Sequence, residues 1–439
     1  MNTTSYERSE EYITQTEQTM ITSWIVSIYC IGGMVGGGLT GFFSERYGRK
    51  GGLLLNNITA ILAAIFFGFC KMASSWEMII IGRFLIGINN GLNAGLAPMY
   101  LSEIAPTSLR GAIGTVYQLV VTISILFSQV MGLESLLGTE DLWPILLALT
   151  ILPAIFQLCT LPICPESPKF LLINKEKRIE AQRALSWLRD SSNIHEELEE
   201  MQNEAEAQKL VPRVSLREIL TNPALRIPLV IAMMMMIAQQ LSGINAAIFF
   251  SVKIYEQAGL NEDESLYATI AMGTMNVLMT FVSLVLVEKA GRKTLMLIGL
   301  SGMMIDTILL TLCLVLQSES ARWLSYASIV LVILFVVMFA TGPGSIPWFL
   351  VNELFASNAR PMASSIAVLI NWTAAFIVGL GFLPIQQALG PYVFLVFTVL
   401  LAMFIAFTIK KVPETKGKSI DEITAVFKQQ AYGGGINRV

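Results

Sequence analysis

The chain has 439 residues, 54% of them hydrophobic and only 14% charged, with a mean hydropathy of +0.63. That balance excludes a soluble globular protein, whose sequence carries about 25% charged residues, and predicts an all-α, polytopic membrane protein. The net charge of −3 decides nothing by itself, but its distribution along the chain does.

Residues 1–18 form a polar tail with four glutamates, Arg8 and the sequon Asn2-Thr3-Thr4. No basic region precedes an apolar core there, so the tail does not read as a signal peptide. Spans are expected near 19–43, 53–72, 77–101, 111–134 and 142–162, which make a first transmembrane half at 19–162. Six more follow near 225–256, 265–287, 293–317, 324–350, 362–385 and 390–411, a second half at 225–411, before a polar tail at 412–439. Most of these runs approach or exceed the roughly 20 residues that about 30 Å of hydrocarbon requires. Between the halves lies a charged segment, 163–224. Stretches such as Lys175-Glu176-Lys177-Arg178-Ile179-Glu180 have helical charge spacing, which suits short amphipathic helices; a solvated linker is the competing reading.

Basic residues set the orientation. Loops 44–52, 102–110, 163–226, 288–293 and 351–361 and the segment 410–439 hold every Lys and Arg except Arg8, Lys71, Arg83, Lys253 and Arg322. By the positive-inside rule that side is cytoplasmic, which places the N-terminus outside and Asn2 where glycosylation occurs.

The most unusual apolar run is Pro228 to Tyr255, which contains Gln239-Gln240-Leu241-Ser242-Gly243-Ile244-Asn245. At about 1.5 Å per residue the glutamines lie roughly 17 Å in, near the membrane midplane. Amides at that depth are costly unless they find partners or face a wet cavity. On an unbroken helix Gln240 and Asn245 would point about 140° apart. An unwinding at Gly243 turns both toward one cavity, as in the broken helices of transporters. Interhelical bonding by amides is the alternative, worth about 0.6–2 kcal/mol each.

Other chemistry is sparse. Cys30, Cys70, Cys159, Cys164 and Cys313 are scattered without CxxC spacing and read as small hydrophobes. The single histidine, His195, lies in a charged loop, so no metal or other cofactor is expected. Gly417-Lys418-Ser419 lacks the upstream glycine of a Walker A loop, which argues against direct ATP driving. Nothing calls for a nucleic-acid partner.

The two halves repeat. Glu45-Arg46-Tyr47-Gly48-Arg49-Lys50 matches Glu288-Lys289-Ala290-Gly291-Arg292-Lys293, 243 residues later. Glu103 and Arg110 recur as Glu353 and Arg360, and Pro165-Glu166-Ser167 recurs as Pro413-Glu414-Thr415. Parallel repeats of this size, with substrate bound near the midplane between halves, are the architecture of the major facilitator fold.

The same landmarks carry a narrower resemblance. The Gly-Arg-Lys loops, Pro98 to Pro106 with Arg110-Gly111, Pro165-Glu166-Ser167-Pro168-Lys169 and Gln239 to Asn245 resemble the sugar porter family, most of all animal facilitative glucose transporters, from about residue 20 to 428. The resemblance implies sugar contacts from Gln118, Gln239, Gln240, Asn245 and Asn276, with Trp348 offering its ring and Asn371 and Trp372 nearby. Hydroxyls need amides and a sugar's C–H face needs an aromatic, so the set suits a hexose. The alternative for Trp348 is an interfacial anchor. It also implies cytoplasmic gate clusters, Glu103 with Arg49 and Arg110, and Glu353 with Arg292 and Arg360. Gly342, Pro343, Gly344 and Pro347 weaken the backbone ladder beside Trp348 and let that helix bend.

Departures from the pattern are Ala340 and Ala375, where the family often carries an acid and an amide. The repeat register also places the counterpart of the Gln240 helix before residue 1, so about eleven spans are expected where the fold has twelve. The expected function is facilitative hexose transport, foremost glucose, by alternating access across the plasma membrane, with sugar and bilayer as partners and no enzymatic step. A proton-coupled symporter is the nearest alternative, set back by the reading that no acid lies at the midplane. A transport-deficient short form acting as a binding partner or sensor is the other.

Overall fold

The computed structural model describes residues 14–106, 110–191, 194–210, 212, 214–316, 322–356, 358–418 and 420–432, and they are almost entirely helical. The sequon at Asn2 lies outside them. Nine helical stretches among the described residues are long and apolar enough to cross a membrane, and the chain is a multi-pass membrane protein. The last stretch, Arg360–Lys411, turns back at Gly390, whose φ of +57° suits glycine.

In chain order the helices are α1 (Gln15–Arg46), α2 (Gly48–Phe69), α3 (Glu77–Ile104), α4 (Arg110–Met131), α5 (Trp143–Ala148) and α6 (Ile151–Thr160). The charged segment folds into α7 (Pro168–Ile173), α8 (Arg178–Arg189), α9 (His195–Leu210) and α10 (Leu216–Thr221). Of these, α8 is amphipathic: it buries Ala181, Ala184 and Leu185 while Arg178, Glu180 and Arg183 stay exposed. There follow α11 (Pro223–Leu241), α12 (Ile244–Phe249), α13 (Ser251–Gln257), α14 (Glu262–Lys289) and α15 (Arg292–Leu316). The last are α16 (Trp323–Thr341), α17 (Ile346–Leu354), α18 (Arg360–Leu389), α19 (Val393–Lys411) and α20 (Ile420–Tyr432).

Contacts gather the chain into two compact units. One comprises Ile28–Gln118 and Leu137–Pro212, with the tail before Thr19; the other comprises Thr19–Ser27, Leu119–Leu136 and everything from Arg213 on. Helices α1 and α4 thus contribute to both. The start of α1 joins the second unit because Trp24 packs edge-on to Phe376, centroids 6.0 Å apart, and Ser27 lies against Gly379. The end of α4 joins it through Gln129, which abuts Gly273 of α14.

Within the first unit, α1 and α3 meet backbone to backbone. A β-carbon at Gly32, Gly36, Gly87 or Gly91 would collide with the carbonyl of Phe84, Ile88, Tyr29 or Gly33. Small residues permit this approach, and dispersion plus polar contact then hold helices together in lipid. Asn56 of α2 and Asn89 of α3 exchange side-chain bonds to each other's carbonyls at 2.8 and 2.9 Å. The Arg83 guanidinium lies over the Tyr29 ring, 5.1 Å from the centroid.

The second unit has the larger apolar core, centred on fully buried Met235, Met236, Leu300, Met303, Ile346, Leu350 and Leu401. Two of its membrane-crossing stretches are interrupted, one between α11 and α12 at Gly243 and one between α16 and α17 at Gly342–Ser345. These two breaks position the candidate site.

One expectation fails. An acid does lie mid-span among these helices: Asp306 is near the middle of α15 and only 7% exposed. The sequence reading passed over it because one carboxylate hardly lowers the mean hydropathy of a 25-residue apolar run.

Candidate functional site

The site grows from Gly243. Its φ of +98° is left-handed, ends α11 at Leu241 and restarts the chain as α12 at Ile244. Ser242 secures the end: its N–H donates to the Ala238 carbonyl, and its hydroxyl to the Gln239 carbonyl at 2.7 Å. The break brings Asn245 onto Gln240, and Asn245 Nδ2 donates to Gln240 Oε1. The unwinding expected from sequence is present, and the two amides meet.

The second break supplies the next partners. Pro347 has no N–H, so the Pro343 carbonyl, four residues earlier, has no helical donor. Gln239 fills that role: its Nε2 donates to Pro343 O at 2.9 Å and Gly344 O at 2.8 Å. From α18, Asn371 Nδ2 donates to Gln239 Oε1 at 2.7 Å, while Asn371 Oδ1 accepts from Gln240 Nε2 at 2.9 Å. Gln239, Gln240, Asn245 and Asn371 therefore form one continuous amide network, with Gln239 and Asn371 buried. Amides of this kind offer both donors and acceptors. A sugar hydroxyl also does both, so hydroxyls can replace amide–amide bonds at small net cost, and binding stays reversible.

The remaining candidates are spread over α4, α14, α17 and α18. Trp348, on the helix that follows the second break, is 39% exposed. Trp372 is half-buried beside Asn371 in sequence. Asn276 is half-buried on α14, its carbonyl accepting from Thr280 at 2.8 Å, and the network's bonds do not reach it. Gln118 is exposed on α4 in the other unit. Among the described residues, no group of three His, Cys, Asp or Glu side chains is placed to hold a metal ion.

The charged clusters follow one plan in each unit, with differences of detail. In the first, Arg49 Nη2 meets Glu103 Oε1 at 2.8 Å and its guanidinium covers the Phe170 ring. In the second, Arg292 donates to Glu353 Oε1 at 3.1 and 3.0 Å. Two members that the sequence reading treated only as repeat landmarks complete them. Glu166 accepts the backbone N–H groups of Arg49, Lys50 and Gly51 at 3.1, 3.0 and 3.3 Å, capping α2. Glu414 accepts those of Arg292 and Lys293 at 2.8 and 3.2 Å, capping α15. The glycine of each Gly-Arg-Lys loop admits the carboxylate, since a β-carbon at Gly48 or Gly291 would overlap it. The neighbouring hydroxyls, Ser167 and Thr415, donate to Glu103 and Glu353 respectively. The recurrence of Pro-Glu-Ser as Pro-Glu-Thr was the signal for these four. Arg360 departs from expectation: it donates to the Phe355 carbonyl at 3.2 Å, not to Glu353. The side chain of Arg110 lies outside what is described.

Comparison with known proteins bears on the family and the fold. The family model for sugar (and other) transporters matches residues 1–427. The chain is 46% identical to a chicken protein, solute carrier family 2, facilitated glucose transporter member 1, over 96% of this chain and 86% of that one. It is 48% identical to facilitated glucose transporter protein 1 of Caenorhabditis elegans, covering 92% of this chain and 80% of the relative. Its fold is similar to the inward-open xylose transporter XylE of E. coli, with TM-score 0.79 and 24% identity over 94% of this chain and 91% of that one.

Proposed function

We propose that this chain, which belongs to the sugar transporter family within the major facilitator superfamily, carries hexoses, foremost glucose, down their gradient by alternating access. The observation that carries the reading is the amide network at the Gly243 break, a cluster of exchangeable donors and acceptors held by two interrupted helices. Transport of this kind needs reversible binding and no covalent step. Trp348 supplies an aromatic face from the helix after the second break, and Gln118, Asn276 and Trp372 complete the substrate contacts. The charge clusters at Arg49–Glu103 and Arg292–Glu353 act as cytoplasmic gates. The eleven-span topology, an N-terminus outside with Asn2 glycosylated, a cytoplasmic C-terminus and residence in the plasma membrane complete the proposal.

The test is glucose titration of the detergent-solubilised protein and its Gln240→Leu variant. Losing one hydrogen bond to a neutral hydroxyl costs about 0.5–1.5 kcal/mol, or roughly two- to thirteenfold in affinity. Unchanged affinity in a folded variant would make these amides interhelical fasteners only.

A further inference from the structure

Asp306 sits behind the candidate sugar site and takes no part in it. It lines a cavity of about 20 Å³, room for one water molecule, whose other walls include Gly243, Ala247, Thr307, Phe335 and Phe397. Gly243 is the residue that breaks the amide-bearing helix, and the Phe397 ring lies 3.1 Å from where its β-carbon would stand. Asp306 Oδ2 is buried and has no hydrogen-bond partner. The nearest hydroxyl in sequence is already engaged: Thr307 donates to the Met304 carbonyl at 2.9 Å and pairs with Thr398 at 2.9 Å. No second ionisable side chain lines the cavity from α12, α13, α16 or α19. Those on the same elements, such as Lys253, Glu256, Tyr326 and Lys410, are not among its walls, and Arg292 lies at the far end of α15.

From this placement we propose that Asp306 is a proton-binding site whose occupancy is read by the Gly243 break, so that sugar binding depends on pH through it. A lone carboxylate among apolar walls is several kcal/mol more costly than a neutral carboxyl. With a proton on, the group is uncharged and the cavity stays closed against Gly243 and Phe397. With the proton off, the charge demands water, and hydration enlarges the cavity at the break. Because the break also sets the Gln240–Asn245 geometry, proton and sugar are linked, and each changes the other's affinity by the same factor. The pH dependence of sugar binding rests on the transport reading above; the proton site itself does not.

Two measurements keep these apart. The first uses no sugar. The full-length protein in lipid nanodiscs is treated with dicyclohexylcarbodiimide, which attacks protonated carboxyls in apolar surroundings, and adducts are mapped by mass spectrometry. An adduct on Asp306 is expected at acid pH, falling about tenfold per pH unit beyond the titration midpoint. No adduct at any pH, or equal labelling from about pH 5 to about pH 9, would overturn the proton site. The second is glucose affinity across the same range for the wild type and Asp306→Asn, which mimics the neutral form. The wild type is expected to change affinity with pH and the variant to hold the wild type's acid-limb value throughout. A flat wild-type profile, or a variant that keeps the wild-type profile, overturns the coupling. Labelled Asp306 in a protein that binds no glucose would defeat the transport reading and the coupling while leaving the proton site standing.

Discussion

Gly243 holds a backbone angle, φ +98°, that side-chain-bearing residues adopt only under strain, with an aromatic ring packed where a side chain would start. Gly243→Ala should cost about 1–2 kcal/mol from the left-handed backbone alone, before any collision with Phe397. A lowered thermal midpoint together with weaker glucose binding is the expected result; an unchanged midpoint would mean that the break tolerates a side chain. Phe397 is itself braced, stacking on Phe382 at 6.2 Å, which stacks on Phe250 at 5.3 Å. Some of this was legible in sequence: three amides, a serine and a glycine within seven residues stand out in an apolar run. The bond partners were not legible. Nothing local says that Gln239 caps carbonyls 104 residues away, because that pairing follows from the missing N–H of Pro347 and the path of a second helix.

At the scale of helices, the two carboxylate caps, Glu166 on α2 and Glu414 on α15, each satisfy donors that a helix start leaves open. Replacing either with alanine strands part-buried N–H groups and should destabilise the protein by about 1 kcal/mol or more, read as a lower thermal midpoint. Glutamine at the same position keeps an acceptor and should recover part of the loss. If alanine and glutamine are equally benign, the caps are incidental. The gate is tested differently. Glu353→Ala removes the partner of Arg292 and should shift the carrier toward inward-facing states, lowering the reactivity of a cysteine placed in the outer vestibule. The shift is limited to the differential free energy removed, and equal or greater labelling would count against the gate. The sequence revealed the repeat that carries both clusters and the matched hydroxyls of Ser167 and Thr415, but not the carboxylates those hydroxyls meet or the turning away of Arg360. Those depend on the local path of short connections, which spacing does not encode.

Across the whole molecule, composition and basic-residue distribution were enough for a helical membrane protein, and repeated landmarks were enough for the family. The division into compact units was less legible. Cutting at the central loop alone ignores Trp24 against Phe376 and Gln129 against Gly273, contacts made by the start of α1 and by the part of α4 from Leu119 on. Such sharing is invisible to hydropathy, which scores how apolar a helix is and not what it touches. The central claim is that a hexose crosses the membrane by way of the Gln239–Gln240–Asn245–Asn371 network. Its most direct test is uptake of radiolabelled D-glucose into proteoliposomes containing the purified chain, beside Gln240→Leu at equal protein density, with L-glucose as control. The account predicts saturable uptake of the D-sugar alone, with the variant's half-saturation raised roughly two- to thirteenfold. Uptake no greater than in protein-free liposomes, or equal for the two enantiomers, would contradict it.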